Sequence, residues 1–438
     1  MNLTFIGSGY VGQVNAACSA HFGHNVWLVD VVQEKVDSIN AGKPTIYESD
    51  LEPLLSQAVA ENRLQATTDL TEAVQNTDVT FICVGTPDKG EMIDLSYIRK
   101  VAVGIGEALK QKESGFHVVV VKSTVVPGTT LDIVKPLVEK HSGKIAGTDF
   151  GIAMNPEFLQ EGIAVKNCLY PESIVIGTED KQSKDILTEV YGWASPDLIT
   201  YSGITAAEAI KYAKNSFLAT KITFANEWAN FCQVIGVDVK EVMDAIGKDS
   251  RVGNQFLRNG PGYGGSCFPK DVNAIIHLGI EKQSPFQILE TVVKMNHRQY
   301  LQLIHLAQKV VGNIDGKRIG VLGLSFKPNT DDTRESPALR LINYLDAHMC
   351  EIKAYCPQGM KMAREWFEVN HISITYADSM EDCIADVDLV FVPTDWPEFR
   401  TIIPQITVPT FVGHRDLIDP TLYPHVYTLG FPPPAFNE

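Results

Sequence analysis

Apolar residues in the first third of the chain fall in short, continuous runs rather than in alternation: LTFIG near the start, NVWLVD at 25–30, DVTFICVG at 78–85, FHVVVVKS at 116–123 and FGIAMN at 150–155. A run of that length with no polar face predicts a strand covered on both sides, the pattern of a parallel sheet. Between the runs the spacing changes to a helical period, so that Val11 to Phe22, 50–62 and 94–112 read as helices. Strands and helices in alternation predict a doubly wound parallel sheet.

The pattern changes near residue 203. From Ile204 to Ile235 there is neither proline nor interior glycine, Gly236 is a natural stop, and Thr205 with Glu208 has the spacing of a capping box. Such a helix is about 45 Å long, which suits a spine joining two domains. A mostly helical segment continues to about residue 310, after which KRIGVLGL at 317–324 opens a second α/β region with further strands at 351–356, 388–394 and 410–413. The predicted order is α/β, helical middle, α/β.

With 438 residues, 45% of them hydrophobic and 21% charged, the chain is long enough for two or three cored domains, and disorder is excluded as its general state. A formal net charge of −16 argues against general affinity for nucleic acid or acidic membrane surfaces, while leaving room for an anionic ligand held by a local basic cluster. The eight cysteines include no C-x-x-C pair, which suggests neither a zinc site nor a disulfide framework. The opening MNLTFIG lacks a basic stretch followed by an apolar region, and no apolar run is long enough to span a bilayer, so the expected location is cytoplasmic.

Candidate chemistry begins at Gly7, Gly9 and Gly12 in GSGYVG, which directly follow a strand and open a helix. Glycines there let a pyrophosphate approach the backbone at a helix N-terminus. Asp30 ends the second strand, 18 residues past Gly12, where a carboxylate accepts from ribose hydroxyls and repels the extra phosphate of NADP. A merely structural glycine turn is the plainer reading, and the strand–turn–helix–strand context outweighs it. Lys211 and Asn215 lie four apart and share a helix face with Glu208. A solvated charge stripe is the plain alternative there, but the surrounding helix is apolar enough to be buried. Glu157 and Glu161 follow a strand end in NPEFLQE, where ligand crevices open and where ordinary first-turn acids also occur. Lys327, Asp331, Asp332 and Arg334 cluster in FKPNTDDTRESP after a strand of the second α/β region, a place for a second nucleotide or for a solvated turn. Cys267 stands in GYGGSCFPKD, between a glycine turn and a predicted helix start. A thiol at a helix N-terminus beside a lysine has its thiolate favoured, which makes it a candidate nucleophile, and the Gly264-Gly265 turn is expected to leave room for a substrate carbon.

Taken with VGTP at 84–87, KSTV at 122–125, NPEFL at 155–159, KYAKN at 211–215 and TDWPEF at 394–399, these segments make the chain resemble the nucleotide-sugar dehydrogenases over essentially its whole length. The resemblance implies an α/β fold with two Rossmann-like doubly wound domains joined by a long central helix and a helical dimerisation domain. The expected boundaries are 1–202 for the NAD-binding domain, 203–312 for the central domain and 313–438 for the domain that binds the nucleotide sugar. It implies oxidation of a sugar C6 from alcohol to acid with two NAD and no metal, in a homodimer or larger homo-oligomer, with UDP-glucose as substrate and GDP-mannose or a UDP-N-acetylhexosamine as alternatives.

Carried over by position, the resemblance makes Cys267 the nucleophile and Asp271 the carboxylate that supports hydrolysis. Lys211 and Asn215 would steady the C6 oxygen, Thr124 would lie near the catalytic water, and Glu157 and Glu161 match two family glutamates. Gly7, Gly9, Tyr10, Val11, Gly12, Asp30, Lys35, Thr86, Thr124, Glu161 and Arg334 fall on the cofactor side. Glu157, Phe158, Leu159, Lys211, Asn215, Arg251, Phe256, Gly264, Lys270, Phe326 and Lys327 fall on the substrate side, with Arg251 expected to reach across from a second subunit. Gln160, Asn167, Ser173 and Cys356 replace residues usual in the family, and VGHRD at 412–416 keeps only Arg415 of its pattern. A single-step hydroxyacid dehydrogenase would have no use for Cys267, and a non-catalytic nucleotide sensor none for Cys267, Lys211, Asn215 and Asp271 together.

Overall fold

The computed structural model describes residues 1–87, 93–113 and 115–433, in two compact units, Met1–Lys214 and Asn215–Glu438. The first unit is built on an eight-stranded sheet. In chain order its strands are β1 (Asn2–Ile6), β2 (Asn25–Val29), β3 (Leu64–Thr67), β4 (Val79–Ile82), β5 (His117–Val121), β6 (Phe150–Met154), β7 (Ile174–Thr178) and β8 (Ile199–Ser202). In space the order is β3-β2-β1-β4-β5-β6-β7-β8. β4, β5 and β6 are buried along their whole length, as their unbroken apolar runs require. The chain reverses its direction of winding between β1 and β4, whose registers bring Leu3 opposite Val79 and Ile6 opposite Ile82. A crevice opens at the carboxyl ends of strands at such a switch.

Two local expectations are corrected. The β6–β7 pairing is antiparallel, with Ala153 opposite Thr178, whereas every other pairing in this sheet is parallel. The long connection from 155 to 173 turns the chain back beside β6 instead of crossing over the sheet. Thr205 and Glu208 form no capping box: the Glu208 carboxylate is fully buried and accepts from the Gly128 amide at 2.6 Å and the Thr130 amide at 2.8 Å. The amides of half-buried Gly128 and buried Thr130, which need an acceptor, outbid the local cap.

The helix predicted over 204–235 spans Ile204–Ile235, 32 residues, and ends at Gly236 with φ 75°. Its length is about 48 Å. In the second unit it is followed by helices Val239–Gly247, Phe268–Glu281, Gln287–Gln299 and Leu301–Val311. Beyond them lies a fully parallel sheet of β9 (Arg318–Leu322), β10 (Glu351–Tyr355), β11 (Thr375–Tyr376), β12 (Leu389–Val392), β13 (Thr410–Val412) and β14 (Val426–Thr428), ordered β11-β10-β9-β12-β13-β14. The buried Arg415 guanidinium bonds Asp238, the N-cap residue of helix Val239–Gly247, at 2.7 and 3.1 Å, tying that helix to the loop after β13.

One face of the long helix stays apolar and exposed. Phe217, Phe224, Trp228, Phe231 and Ile235 recur at spacings of seven, four, three and four, with the rings of Trp228 and Phe231 5.9 Å apart. Among the described residues no helix is long and apolar enough to cross a membrane.

Candidate active site

At the switch between β1 and β4, the glycines of GSGYVG have distinct jobs. A Cβ at Gly12 would lie 1.8 Å from the Gly7 carbonyl oxygen, and one at Gly7, where φ is 102°, would lie 2.8 Å from the Cys83 carbonyl oxygen. These two are glycines for the chain's own packing. Gly9 has nothing within 4 Å of that position. It is open at the N-terminus of the helix Tyr10–His21, whose first amides point outward for an anion.

Asp30 accepts from the Ser8 amide at 2.9 Å, from the Ser8 hydroxyl at 2.5 Å and from the Val32 amide at 3.1 Å. Burial works against its ionisation, but those hydrogen bonds and nearby Lys35 outweigh it and hold the carboxyl below its ordinary value. An open glycine turn and a fixed carboxylate at the end of the second strand fit a dinucleotide. Thr86 donates to the Thr124 carbonyl at 2.9 Å, so two more cofactor-side candidates meet.

The loop after β6 carries the acids. Glu157 is buried; it accepts from Lys211 Nζ at 2.8 Å with one oxygen and from the Leu159 amide at 2.6 Å with the other. Burial would raise its pKa, yet the Lys211 charge and hydrogen bond, the Leu159 amide and Lys122 together hold it below the ordinary value of 4.5. Lys211 is itself only 3% exposed and lies 5.5 Å from the centre of the Phe158 ring. Just before this pair, Asn155 accepts from Lys122 Nζ at 2.7 Å and from Tyr191 Oη at 2.5 Å, and donates to the Val175 carbonyl at 2.7 Å. Glu161 is half-buried, one turn of chain further on.

In the second unit Cys267 is the N-cap residue of the helix Phe268–Glu281, as its sequence context predicts, with its sulfur 3.6 Å from the Ser266 hydroxyl. Asp271, one turn into that helix, is 1% exposed. Its two oxygens accept from Asn215 Nδ2 at 2.7 Å and from Lys270 Nζ at 2.6 Å. Phe256, held at φ 61°, and Tyr263 both bring their rings to Phe268, at 6.1 and 5.9 Å.

The Gly264-Gly265 turn packs closely against another loop of the same unit. A Cβ at Gly264 would lie 2.4 Å from the Glu335 carbonyl oxygen, one at Gly265 would meet the Phe326 ring at 2.8 Å, and the Gly265 amide donates to the Arg334 carbonyl at 2.8 Å. The absence of side chains at these two glycines lets the turn touch the charged loop 326–335. Within that loop Arg334 forms a two-pronged pair with buried Asp332, at 2.9 and 2.7 Å, and Lys327 Nζ lies 5.5 Å from the Phe326 ring centre. Arg251 is set apart: its guanidinium bonds Asp249 and its side chain is 87% exposed.

Sequence reasoning passed over Glu48, Lys122 and Tyr191, all parts of the polar framework around the acidic loop. Lys122 carried a signal, a lysine directly after the buried strand HVVVV. Glu48 carried none, because its partners are backbone amides more than a hundred residues away.

The glycine turn, its open position and the anchored Asp30 define a dinucleotide-binding domain at the head of the chain. Family descriptions match in sequence order: the UDP-glucose/GDP-mannose dehydrogenase family's NAD binding domain over residues 1–194, its central domain over 205–298 and its UDP binding domain over 320–420. The chain belongs to the UDP-glucose/GDP-mannose dehydrogenase family, and its cofactor is NAD. It is 43% identical over 407 residues to the UDP-glucose 6-dehydrogenase AglM of Haloferax volcanii, covering 92% of this chain and 93% of that protein. Among solved structures it is similar to a UDP-glucose dehydrogenase from Pyrobaculum islandicum, with a TM-score of 0.89, 36% identity and 94% of each chain covered. A GDP-mannose dehydrogenase from Pseudomonas aeruginosa is also 36% identical, with a TM-score of 0.56 over 98% of this chain and 100% of that one.

The buried pair Glu157–Lys211 makes a stability prediction. Lys211→Ala strands a buried carboxylate and is expected to cost about 3–5 kcal/mol, while the double variant Lys211→Ala/Glu157→Gln recovers part of that loss. Because the folded-state pKa of Glu157 is depressed, the pair's contribution is present above the ordinary value of 4.5 and is lost as pH falls through the lower folded value. Urea unfolding of wild type and Glu157→Gln across pH 3 to 7 checks this; a gap between them that is independent of pH would contradict it.

Proposed function

We propose that the protein oxidises UDP-glucose to UDP-glucuronate in two steps, each using one NAD, through a covalent intermediate on Cys267. The observation that carries this reading is a thiol at a helix N-terminus followed one turn on by a buried, doubly bonded carboxylate, in a family member with an NAD domain and a UDP domain. The names of the Haloferax and Pyrobaculum relatives support UDP-glucose as the sugar nucleotide. The 36% identity to a GDP-mannose dehydrogenase, the same as to the Pyrobaculum protein, makes GDP-mannose the second reading.

NAD, when bound, supplies the hydride acceptor for both oxidations. In the first, the C6 alcohol loses a hydride and a proton and becomes an aldehyde; Lys211 and Asn215 hold the C6 oxygen, where negative charge develops. An aldehyde carbon has no hydride to give until a nucleophile adds to it. The Cys267 thiolate forms a C–S bond there as the carbonyl C=O π bond breaks and its oxygen takes up a proton, giving a thiohemiacetal, and loss of the second hydride to NAD and of that proton leaves a thioester. Water then adds to the thioester carbon with Asp271 supporting the proton transfers and Thr124 and Glu161 holding the water, the C–S bond breaks, and carboxylate and thiolate separate. Overall one sugar nucleotide, two NAD and one water give the acid, two NADH and three protons. Glu157 keeps Lys211 protonated and aimed. Phe158, Leu159, Arg251, Phe256, Gly264, Lys270, Phe326 and Lys327 are assigned to the sugar nucleotide, and Gly7, Gly9, Tyr10, Val11, Gly12, Asp30, Lys35, Thr86 and Arg334 to NAD. The corresponding domains are 1–202, 203–312 and 313–438.

We further propose that the functional form is a homodimer. The stripe of Phe217, Phe224, Trp228, Phe231 and Ile235 supports it, since an apolar face of this extent on a long helix is buried by a partner.

Three outcomes are expected. Wild type forms two NADH per UDP-glucose in a coupled absorbance and product assay, Cys267→Ala forms no acid, and Asp271→Asn accumulates a substrate-derived mass adduct on the Cys267 peptide. One NADH per sugar, or normal acid formation by Cys267→Ala, would sink the covalent route; turnover of GDP-mannose but not UDP-glucose in the same assay would install the second reading. Catalytic efficiency with NAD exceeds that with NADP by about two orders of magnitude, because the 2′-phosphate would face the Asp30 carboxylate; equal efficiencies would remove Asp30 from the cofactor site. Sedimentation of wild type gives a dimer and of Trp228→Glu a monomer, and a wild type that is monomeric at micromolar concentration would contradict the assembly.

A further inference from the structure

The acidic loop is fastened to the cofactor loop by a continuous polar chain that runs through Glu48. Ser8, inside the glycine turn, accepts at its carbonyl from Gln13 Nε2 at 2.5 Å. The same Gln13 side chain grips Thr45 from both sides: Nε2 donates to the Thr45 hydroxyl at 2.7 Å, and Oε1 accepts from the Thr45 amide at 3.0 Å. Tyr10, the residue after Gly9, donates its hydroxyl to the Tyr47 carbonyl at 2.8 Å. The next residue is Glu48, 7% exposed, whose two carboxylate oxygens accept from the amides of Gly162 and Ala164, each at 2.7 Å. Gly162 directly follows Glu161, with Ala164 shortly after it, and both lie a few residues from Glu157.

Every link is 3.0 Å or shorter, and the first, from Gln13 to Ser8, and the last two, to Glu48, are buried. Those last two together are bidentate and charge-assisted, the strongest kind of hydrogen bond. Segment 45–48 therefore has no freedom of its own: one end is set by the glycine turn, and the other sets the backbone that presents the two glutamates. A dinucleotide that fixes the glycine turn fixes Ser8 and Tyr10, and restricts everything hung from them.

We infer that Glu48 is a positioning residue which couples NAD occupancy of the glycine turn to the ordering of the loop carrying Glu157 and Glu161. The inference rests on the proposed roles of those two glutamates, but its test uses NAD alone, without a sugar nucleotide.

Hydrogen exchange of peptides covering 157–170 is measured with and without saturating NAD. In wild type NAD slows exchange there about fivefold or more; in Glu48→Gln, which keeps the size of the side chain but sets an amide against an amide, the slowing falls below about twofold while the dissociation constant for NAD stays within about threefold. A role confined to stability would raise exchange equally with and without NAD and leave the ratio untouched, which would overturn the inference. So would full NAD-dependent slowing in the variant, since direct contact between NAD and the loop would then suffice. Gln13→Met cuts the same chain two links earlier and is read in the same way if Glu48→Gln fails to fold; the two changes together lose no more of the NAD effect than either alone. Absence of turnover with UDP-glucose would end the functional reading without moving these ratios, and unchanged ratios would end this inference without touching turnover.

Discussion

A buried lysine and a buried glutamate, neither of which tolerates the interior alone, are the constraint on which the rest of the first unit depends. Lys211 and Glu157 are each under one-tenth exposed, and at 2.8 Å each supplies the counter-charge the other requires. Their meeting demands that the chain bring the end of β6 beside the start of the long helix, so the return of the chain through β7 and β8 and the anchoring of Glu208 in the amides of Gly128 and Thr130 follow from it. A buried ion pair contributes little net stability compared with apolar residues of the same size. Its retention here makes sense as a way of fixing the loop after β6 against the long helix.

The same economy appears in the second unit. Asp271 is nearly inaccessible, and its two oxygens are occupied by different donors, one from the long helix and one from its own sequence neighbour. Arg415 with Asp238 repeats the arrangement further along the chain. In each case a carboxylate that burial would penalise is matched with donors on separate elements, so each pair fixes an orientation between elements that apolar packing alone would leave adjustable.

Much of this was legible in the sequence because local rules and tertiary structure agree there. The strands β1, β2, β4, β5 and β6 are unbroken apolar runs, and the long helix has neither breaker nor ambiguity until Gly236. β3 and β8 escaped notice because they are short and partly exposed, and LQAT and ITYS carry too few apolar residues to mark a strand. β7, in IVIGT, is buried, but its antiparallel return depends on a connection whose course is set by tertiary contacts. The candidate site divides in the same way. Gly7, Gly12, Asp30, Lys211 and Cys267 stand in spacings that announce themselves, whereas Glu208 has the local spacing of a cap and Glu48 no local pattern, since both bond amides distant in the chain.

The fit of the cysteine loop against the loop 326–335 has a bearing on how such proteins diversify. With no room for even a methyl group between Gly264 and the Glu335 backbone, and with the Phe326 ring lying where a side chain at 265 would go, neither loop can change its length or path unless the other follows. A lineage that remodels the loop 326–335 must therefore shift the segment carrying Cys267 in the same stroke. Changes in the loop 326–335 and in the cysteine loop should be inherited together rather than acquired one at a time.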